Sequence, residues 1–437
     1  MITKPKGTVD IYGIEAKKWM YVSKVIDEVM EKYNYNFIRV PVFESSQLFH
    51  RGVGETTDIV TKETYDFTDR GERNITLRPE GTAGVVRSYI ENKMYGDVNQ
   101  PVKLYYNMPM YRYERPQKGR LREFTQFGYE IIGSDDPLSD AEVISLAVNI
   151  FKLLGLQGIK VSINSLGDKE SRENYREILI NYFKPYLDEL CDDCKERFNK
   201  NPLRMLDCKV DGNKEVFKNV PKTIDYLNSE SKSRFDKVKE YLDIMNINYE
   251  VNSNIVRGLD YYNHTVFEIE ADIKDFGSQN VIGGGGRYNN MIESLGGPNT
   301  PAIGFASGLD RLMLALECEE IKLPIENSID LYLLYVNDEE KKYAAYLAND
   351  LRMNGFVVET DYLEKGLKAQ FKQADRLNSK FLIVLNSEDL INNEVKIKNT
   401  KNKEEEIVSI DALIYYLDEN LTDECDCGEN CTCHNGE

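Results

Sequence analysis

No run of eighteen apolar residues occurs in this chain of 437, and Met1 leads into the polar ITKPKGTVD with no apolar signal core. Neither a membrane span nor export is expected. Cysteine is scarce, eight residues irregularly placed, which suits a reducing cytoplasm, the default location, better than a disulfide framework. The glycine run Gly283 to Gly286 is followed by Arg-Tyr-Asn-Asn. It lacks the Lys-Ser or Lys-Thr of a phosphate loop, so it supplies no magnesium hydroxyl. Its missing Cβ atoms read instead as room for backbone to lie close to a ligand. Positive charge is also short: 55 Lys and Arg stand against 74 Asp and Glu, a formal net charge of −19. Taken alone, that balance argues against a nucleic-acid partner, unless basic residues are gathered into a local field.

They are gathered in two places. From Tyr111 to Glu130 runs YRYERPQKGRLREFTQFGYE, with four arginines, one lysine, three glutamates and two glutamines among aromatics. Tyr111 and Tyr113 flank Arg112 as in a strand. Beyond the Pro116 and Gly119 turn, Phe124, Gln126 and Gly128 share one side while Thr125, Phe127 and Tyr129 take the other. The stretch reads as two antiparallel strands joined by a long basic loop, with Arg112 in the first strand. Arginine forks fit phosphate and an exposed ring fits a flat base, which favours a phosphate site over a solvated surface hairpin. In the second place, EKGLKAQFKQADRLNSK, the residues Lys365, Lys368, Lys372, Arg376 and Lys380 recur every three or four positions, as on one helical face. That face either meets water or touches nucleic-acid backbone.

The hairpin resembles motif 2 of the class II aminoacyl-tRNA synthetases and, in detail, that of the histidyl-tRNA synthetases. RGLDYYNHTVFEI, from Arg257 to Ile269, and GGGGRYNNM, from Gly283 to Met291, are similar to that family's two histidine-specific signatures. IGFASGLDRLMLAL, from Ile303 to Leu316, resembles class II motif 3. The resemblance covers almost the full chain in family order and stops near Thr422.

Local patterning supplies the frame. Trp19, Val22, Ile26, Val29 and Tyr33 mark an amphipathic helix over Glu15 to Tyr33, followed by the strand-like NFIRVPVFE, broken at Pro41. This pair resembles motif 1, which implies a homodimer interface. ITLRPEGTAGVVRSYI reads as a strand entering a helix near Thr82, and SDDPLSDAEVISLAVNIFKLLG as a capped helix whose Asp140 suits the positive end of the helix dipole. VSINSLG is a short strand and turn. From about Asp168 the chain turns to charged helices with few turns. Beyond the linker ECEEIKLPIENS, strands and helices alternate as in a parallel or mixed α/β sheet. The expected class is therefore α+β: an antiparallel β-sheet catalytic domain with helices over 1–167 and 252–325, a helical insertion over 168–251, an α/β domain resembling the anticodon-binding domain over 328–421, and a Cys-rich acidic tail over 422–437.

The resemblance implies a reaction and assigns residues to it. L-Histidine and ATP would give histidyl-adenylate and pyrophosphate, and the histidine would pass to the 3′ end of tRNA(His). Mg²⁺ would accompany ATP, held mostly by phosphates and water. Arg112 matches the motif 2 arginine at the α-phosphate, Arg120 a further phosphate partner, and Arg311 the motif 3 arginine at the γ-phosphate, aided by a helix start. Glu114 matches the residue at the adenine edge and Phe124 the ring beneath it. Arg257 matches the arginine that meets the substrate carboxylate and α-phosphate together. Glu130 and Tyr262 match the pair that brackets the imidazole; Glu80, Thr82 and Gln126 match the acceptors of the α-amino group. A buried Glu130 needs hydrogen bonds or the substrate to hold it ionised. Tyr106, Tyr261 and Tyr288 either line the same cavity or pack the core, and Arg115 and Gln117 lie where the family reads the tRNA acceptor end.

Two cysteine clusters stand apart from that reading. Cys191 and Cys194 have the spacing of a zinc knuckle and Cys208 follows, but without a histidine or fourth cysteine nearby the set reads as free thiols in preference to zinc. In the tail, Cys425, Cys427, Cys431, Cys433 and His434 are either metal ligands or part of a solvated, unstructured segment. An alternative function also stays open at this point: a non-acylating, synthetase-like regulatory subunit that partners ATP phosphoribosyltransferase in histidine biosynthesis. Such a paralogue lacks the C-terminal domain and much of the arginine set, whereas Arg112, Arg257 and Arg311 are all present here, so the enzyme is favoured.

Overall fold

The computed structural model describes residues 1–54, 57, 59–208, 210–255, 259–273, 276 and 280–421, which form two compact units, Met1–Leu323 and one beginning at Pro324. No helix among the described residues is long and apolar enough to cross a membrane.

The first unit is built on an eight-stranded sheet. In spatial order its strands are Asn36–Phe37, Val102–Tyr111, Glu123–Ile132, Ala302–Gly308, Val281–Arg287, Asn263–Ala271, Ile159–Ser165 and Glu250–Val251. The six central strands are antiparallel, and the short strand at each edge is parallel to its neighbour. Alternation sorts each strand between two cores. Leu104, Tyr106, Met108 and Met110 point to one side with helix Thr82–Glu91; Tyr105, Phe127, Tyr129 and Ile131 point to the other. On that second side lie helices Gly13–Lys32, Pro137–Leu153 and Ser229–Ile244, the first burying Val22, Ile26, Val29 and Met30. The NFIRVPVFE stretch divides at Pro41: Asn36–Phe37 joins the large sheet, while Phe43–Ser45 enters a separate three-stranded sheet with Asn74–Leu77 and Tyr65–Thr68.

Two expectations from the sequence are corrected. The region after Asp168 is not a run of charged helices with few turns: short 3-10 segments Lys184–Glu189, Pro202–Asp207 and Thr223–Tyr226 separate its helices. Pro185, Pro202 and Pro221 lack the amide that would continue a helix. In the second unit the five basic residues do not share a helix. The helix runs Leu367–Arg376, with Gly366 as its N-cap and left-handed Asn378 just beyond its end. Lys365 therefore precedes it, and Lys380 lies in strand Ser379–Val384, paired with Glu326 at 3.0 Å. Lys368, Lys372 and Arg376 remain as the exposed helical set. The sheet of this unit is mixed: Val358–Thr360, Ile329–Leu334 and Ser379–Val384 are parallel, and Glu394–Asn399 and Glu405–Ser409 are antiparallel.

Candidate active site

The long hairpin Val102–Tyr111 and Glu123–Ile132 carries the site on one face. Met108 pairs with Gln126 and Met110 with Phe124, so Phe124 and Gln126 open onto a cleft of about 190 Å³ while Phe127 is buried behind them. Arg112 sits one residue past the strand end, a correction to its placement within the strand: its N–H still reaches the Arg122 carbonyl at 2.9 Å, but Glu114 N–H already turns back to the Arg112 carbonyl at 2.8 Å. The Arg112 guanidinium lies 5.1 Å from the centre of the Phe124 ring and donates through Nε to the Pro79 carbonyl at 2.8 Å. Its position is thereby fixed at the cleft wall.

The cleft is rich in charge. Buried Glu114 forms an ion pair with Arg120. Across the cleft, helix Leu309–Cys318 begins at Gly308, and Arg311 in its first turn donates through Nη1 to the Val281 carbonyl at 2.8 Å. Burial, and then the like charge of Arg120, holds the Arg311 guanidinium below its ordinary pKa. An arriving polyphosphate would relieve that crowding of cations. Asp310 Oδ2 accepts the Thr125 N–H at 2.8 Å, tying this helix start to the hairpin, and burial lifts its pKa to about 6. Glu63, at the end of the segment Ile59–Glu63, is raised by burial and by neighbouring Glu114, with Arg112 and Arg120 acting in the opposite sense.

Deeper along the same strand is a buried polar cluster. Glu130 is fully buried; it accepts the Thr82 hydroxyl at 2.8 Å and the Tyr288 hydroxyl at 2.6 Å, one on each oxygen. Burial outweighs both donors, and the Glu130 pKa is pushed up to about 8. Glu80 accepts the backbone N–H groups of Ala83 at 2.6 Å and Thr82 at 3.0 Å, so it caps helix Thr82–Glu91 as well as facing the pocket. Burial raises its pKa, while those N–H groups and the positive charge of Arg112 act in the opposite sense. The Tyr106 ring passes over Gly81 and Gly128, where any Cβ would strike it. Tyr261 packs against Tyr262 with ring centres 4.6 Å apart and against Tyr288 at 5.6 Å. Among the described residues, Gln126 Oε1 and the Tyr106 hydroxyl are buried without a hydrogen-bond partner. Polar atoms left so in a concave site mark where a ligand's donors belong.

Buried ion pairs hold the pocket from behind. Arg287, next to Tyr288, is fully buried and bonds Asp140 through Nη2 at 2.5 Å, the Ser134 carbonyl at 2.8 Å and Ser139 Oγ at 2.8 Å. Arg234, from helix Ser229–Ile244, reaches Asp140 at 3.1 Å. Asp140 therefore serves a buried charge cluster, which supplements the dipole role expected from its place in the helix. Asn201 and Arg204 both hold Asp260 Oδ1, at 3.1 and 2.9 Å, just before Tyr261.

The structure brings together Arg112, Glu114, Arg120, Phe124, Gln126 and Arg311 around the cleft. It also joins Glu130 to Thr82 and Tyr288 in the inner pocket. Arg115 and Gln117 are exposed in the hairpin turn and do not line the cleft. Arg257 and the tail residues Cys425, Cys427, Cys431, Cys433 and His434 lie outside the described residues. In the glycine run, Gly283 and Gly284 line the cleft, and Cβ atoms at Gly285 and Gly286 would meet Phe267 and Tyr262 and neighbouring backbone. Sequence reasoning missed Glu63 and the clamp role of Asp310; the latter was signalled by an acidic residue at a helix start beside motif 3.

The chain is similar to known proteins along nearly its whole length. Residues 7–312 match the family described as histidyl-tRNA synthetase, and residues 330–420 match the anticodon binding domain. The histidine–tRNA ligase of Bacillus cytotoxicus is 52% identical over 417 residues, spanning 95% of this chain and 99% of its own. That of Staphylococcus aureus is 51% identical over 418 residues, 95% of this chain and 100% of its own. The crystal structure of the apo S. aureus histidyl-tRNA synthetase matches with a TM-score of 0.83 at 45% identity, covering 95% of this chain and 100% of that one. The anticodon-domain match disfavours the regulatory-subunit reading, which lacks such a domain. On a family match over most of the chain and relatives about half identical along nearly its whole length, the chain belongs to the histidyl-tRNA synthetase family of ATP-dependent histidine–tRNA ligases.

Proposed function

We propose that the cleft holds ATP and the inner pocket L-histidine, and that the two meet at the strand bearing Gln126 and Glu130. What supports this reading is continuity: Gln126 lines the cationic cleft, and Glu130, on the same side of the same strand, anchors the buried polar cluster. Phe124 and Glu114 take the adenine, while Arg120 and Arg311 hold the distal phosphates with the N-terminus of helix Leu309–Cys318. Mg²⁺ arrives with ATP as part of the substrate. Glu130 and Tyr262 bracket the imidazole with Tyr106, Tyr261 and Tyr288 around them; Glu80, Thr82 and Gln126 receive the α-amino group.

The histidine carboxylate then attacks the α-phosphorus in line and pyrophosphate leaves. Two anions must approach, so the protein's contribution is positioning and charge neutralisation, assigned to Arg112 and Arg257. A lysine at Arg257 could not address both anions as a planar fork. In the second step the ribose hydroxyl at the 3′ end of tRNA(His) displaces AMP. Exposed Arg115 and Gln117 are placed for the acceptor end, and Lys368, Lys372 and Arg376 of the second unit for tRNA backbone. Exposed Met20, Phe37 and Phe43, around motif 1, suit a homodimer contact. Cytoplasmic residence follows from the role.

Histidine-dependent ATP–pyrophosphate exchange, run with each of the twenty amino acids, tests the assignment. Exchange with histidine alone is expected, and exchange with another amino acid or with none overturns it. Arg257→Ala is expected to lose most exchange while histidine binding stays measurable; near-normal exchange would refute its role.

A further inference from the structure

The insertion brings together a ligand set that the sequence left incomplete. Cys191 is the N-cap of helix Asp192–Lys200, Cys194 lies in its first turn, and Cys208 follows the 3-10 segment Pro202–Asp207. Asp211 comes next in the chain's return, and one ligand atom from each of the four lies within 4.8 Å of the others. Cys194 and Cys208 are buried, and the Asp211 side chain is 1% exposed.

The spacing discriminates between chemistries. Cys191 Sγ and Cys208 Sγ are 3.7 Å apart. Zinc–sulfur bonds of about 2.3 Å at tetrahedral angles separate two sulfurs by roughly 3.8 Å, whereas a covalent disulfide requires about 2.05 Å. The surroundings also favour an anionic cluster. Asp211 N–H donates to Cys208 Sγ at 3.3 Å, Cys191 N–H donates to Asp211 Oδ2 at 2.8 Å, and Lys214 Nζ stands 2.8 Å from Asp211 Oδ1. That oxygen is buried and faces the Lys214 ammonium. Such outer contacts orient ligands and offset the charge of a thiolate-rich metal site.

We propose that Cys191, Cys194, Cys208 and Asp211 form a structural zinc site, with Asp211 in the place of the absent fourth cysteine. Three thiolates select a soft divalent cation over Mg²⁺ or Ca²⁺, and four protein ligands leave no open position for catalysis. Binding releases the thiol protons to solvent. The ion closes the segment that carries Asn201 and Arg204, and these hold Asp260 beside Tyr261 and Tyr262. The site thus braces one wall of the inner pocket from the insertion.

Because the tail also carries thiols and a histidine, the test uses the full chain with Cys425→Ser, Cys427→Ser, Cys431→Ser, Cys433→Ser and His434→Ala. Native mass spectrometry after zinc loading is expected to find one zinc per chain, and Co²⁺ to give tetrahedral thiolate absorption that zinc bleaches. Cys194→Ser should lower zinc affinity at least about 100-fold, beyond the 10–100-fold typical of outer-shell changes. Asp211→Asn, which keeps the shape and threatens folding least, should lower it at least about 10-fold. A chain that stays metal-free in excess zinc, that retains a Cys191–Cys208 disulfide in reductant instead of binding cobalt, or whose Asp211→Asn variant binds zinc unchanged overturns the proposal.

Discussion

Tyr288 and Glu130, 158 residues apart in sequence, meet through a 2.6 Å hydrogen bond in which the phenol donates to the carboxyl group. With Thr82 on the other oxygen, Glu130 has two donors, yet burial still raises its pKa to about 8. At pH 7 the ligand-free chain is therefore expected to hold a proton on Glu130. An imidazole N–H needs an acceptor, so histidine binding is expected to release close to one proton at pH 7. Affinity should rise between about pH 7 and pH 8. Calorimetry in buffers of contrasting ionisation enthalpy measures the release, and Glu130→Gln should abolish it. Linkage acts on folding in the same direction of protonation: the native state keeps a proton that the unfolded chain loses in the ordinary carboxylate range, so this group's contribution to stability falls as pH rises through about 8. Tyr288→Phe removes one donor, and the KM for histidine should rise about 10-fold, the equivalent of roughly 1.4 kcal/mol, with the KM for ATP unmoved.

Arg287 and Asp140 are both fully buried, and Arg234 adds a second cation to the same carboxylate. Burial pushes the Asp140 pKa up, but Arg287 and then Arg234 overcome it, leaving it below the usual carboxylate range. Stability from this group is present above the unfolded carboxylate pKa and is lost as pH falls through the depressed folded value. Arg287→Met leaves Asp140 short of its main partner, and urea unfolding should show a loss of about 3–5 kcal/mol. Wild-type stability in that variant would show that Arg234 alone suffices.

What the sequence disclosed follows from which constraints are local. The hairpin was legible because alternation and a Pro-Gly turn are short-range signals, and its two sides fall where alternation puts them: Phe124 and Gln126 to the cleft, Phe127 and Tyr129 to the core. The basic helix was over-read because a spacing of three and four residues says nothing of where Gly366 starts the helix or left-handed Asn378 stops it. Strand Glu405–Ser409 escaped notice because it is a charged edge strand that buries only Val408. Asp211 was invisible as a fourth ligand because metal spacing rules look for cysteine and histidine, and only the folded turn brings the carboxylate to the three thiols.

Gly304 stands directly opposite Glu130 in the sheet, and a Cβ built on it would enter the Glu130 carboxylate. Side chains of directly opposed residues project to the same face, so this glycine creates the space in which Glu130 turns toward Thr82 and Tyr288. Gly304→Ala forces a choice between displacing the carboxylate and shifting the strand. Moving the carboxylate breaks two hydrogen bonds to a buried group; moving the strand disturbs a core that includes Phe305, at a typical cost of about 1–3 kcal/mol. Either route removes the acceptor from its place. Histidine binding, measured by equilibrium dialysis without ATP, should weaken at least about 100-fold, close to 2.7 kcal/mol, while unfolding stays cooperative. Gly308→Ala is the control: it lies in the same strand, but among the described residues its Cβ would meet only the Arg311 Cβ at 3.9 Å, an ordinary contact, so histidine binding should survive. Equal losses in both variants would mean that the strand as a whole, and not the space over Glu130, is what the glycine protects.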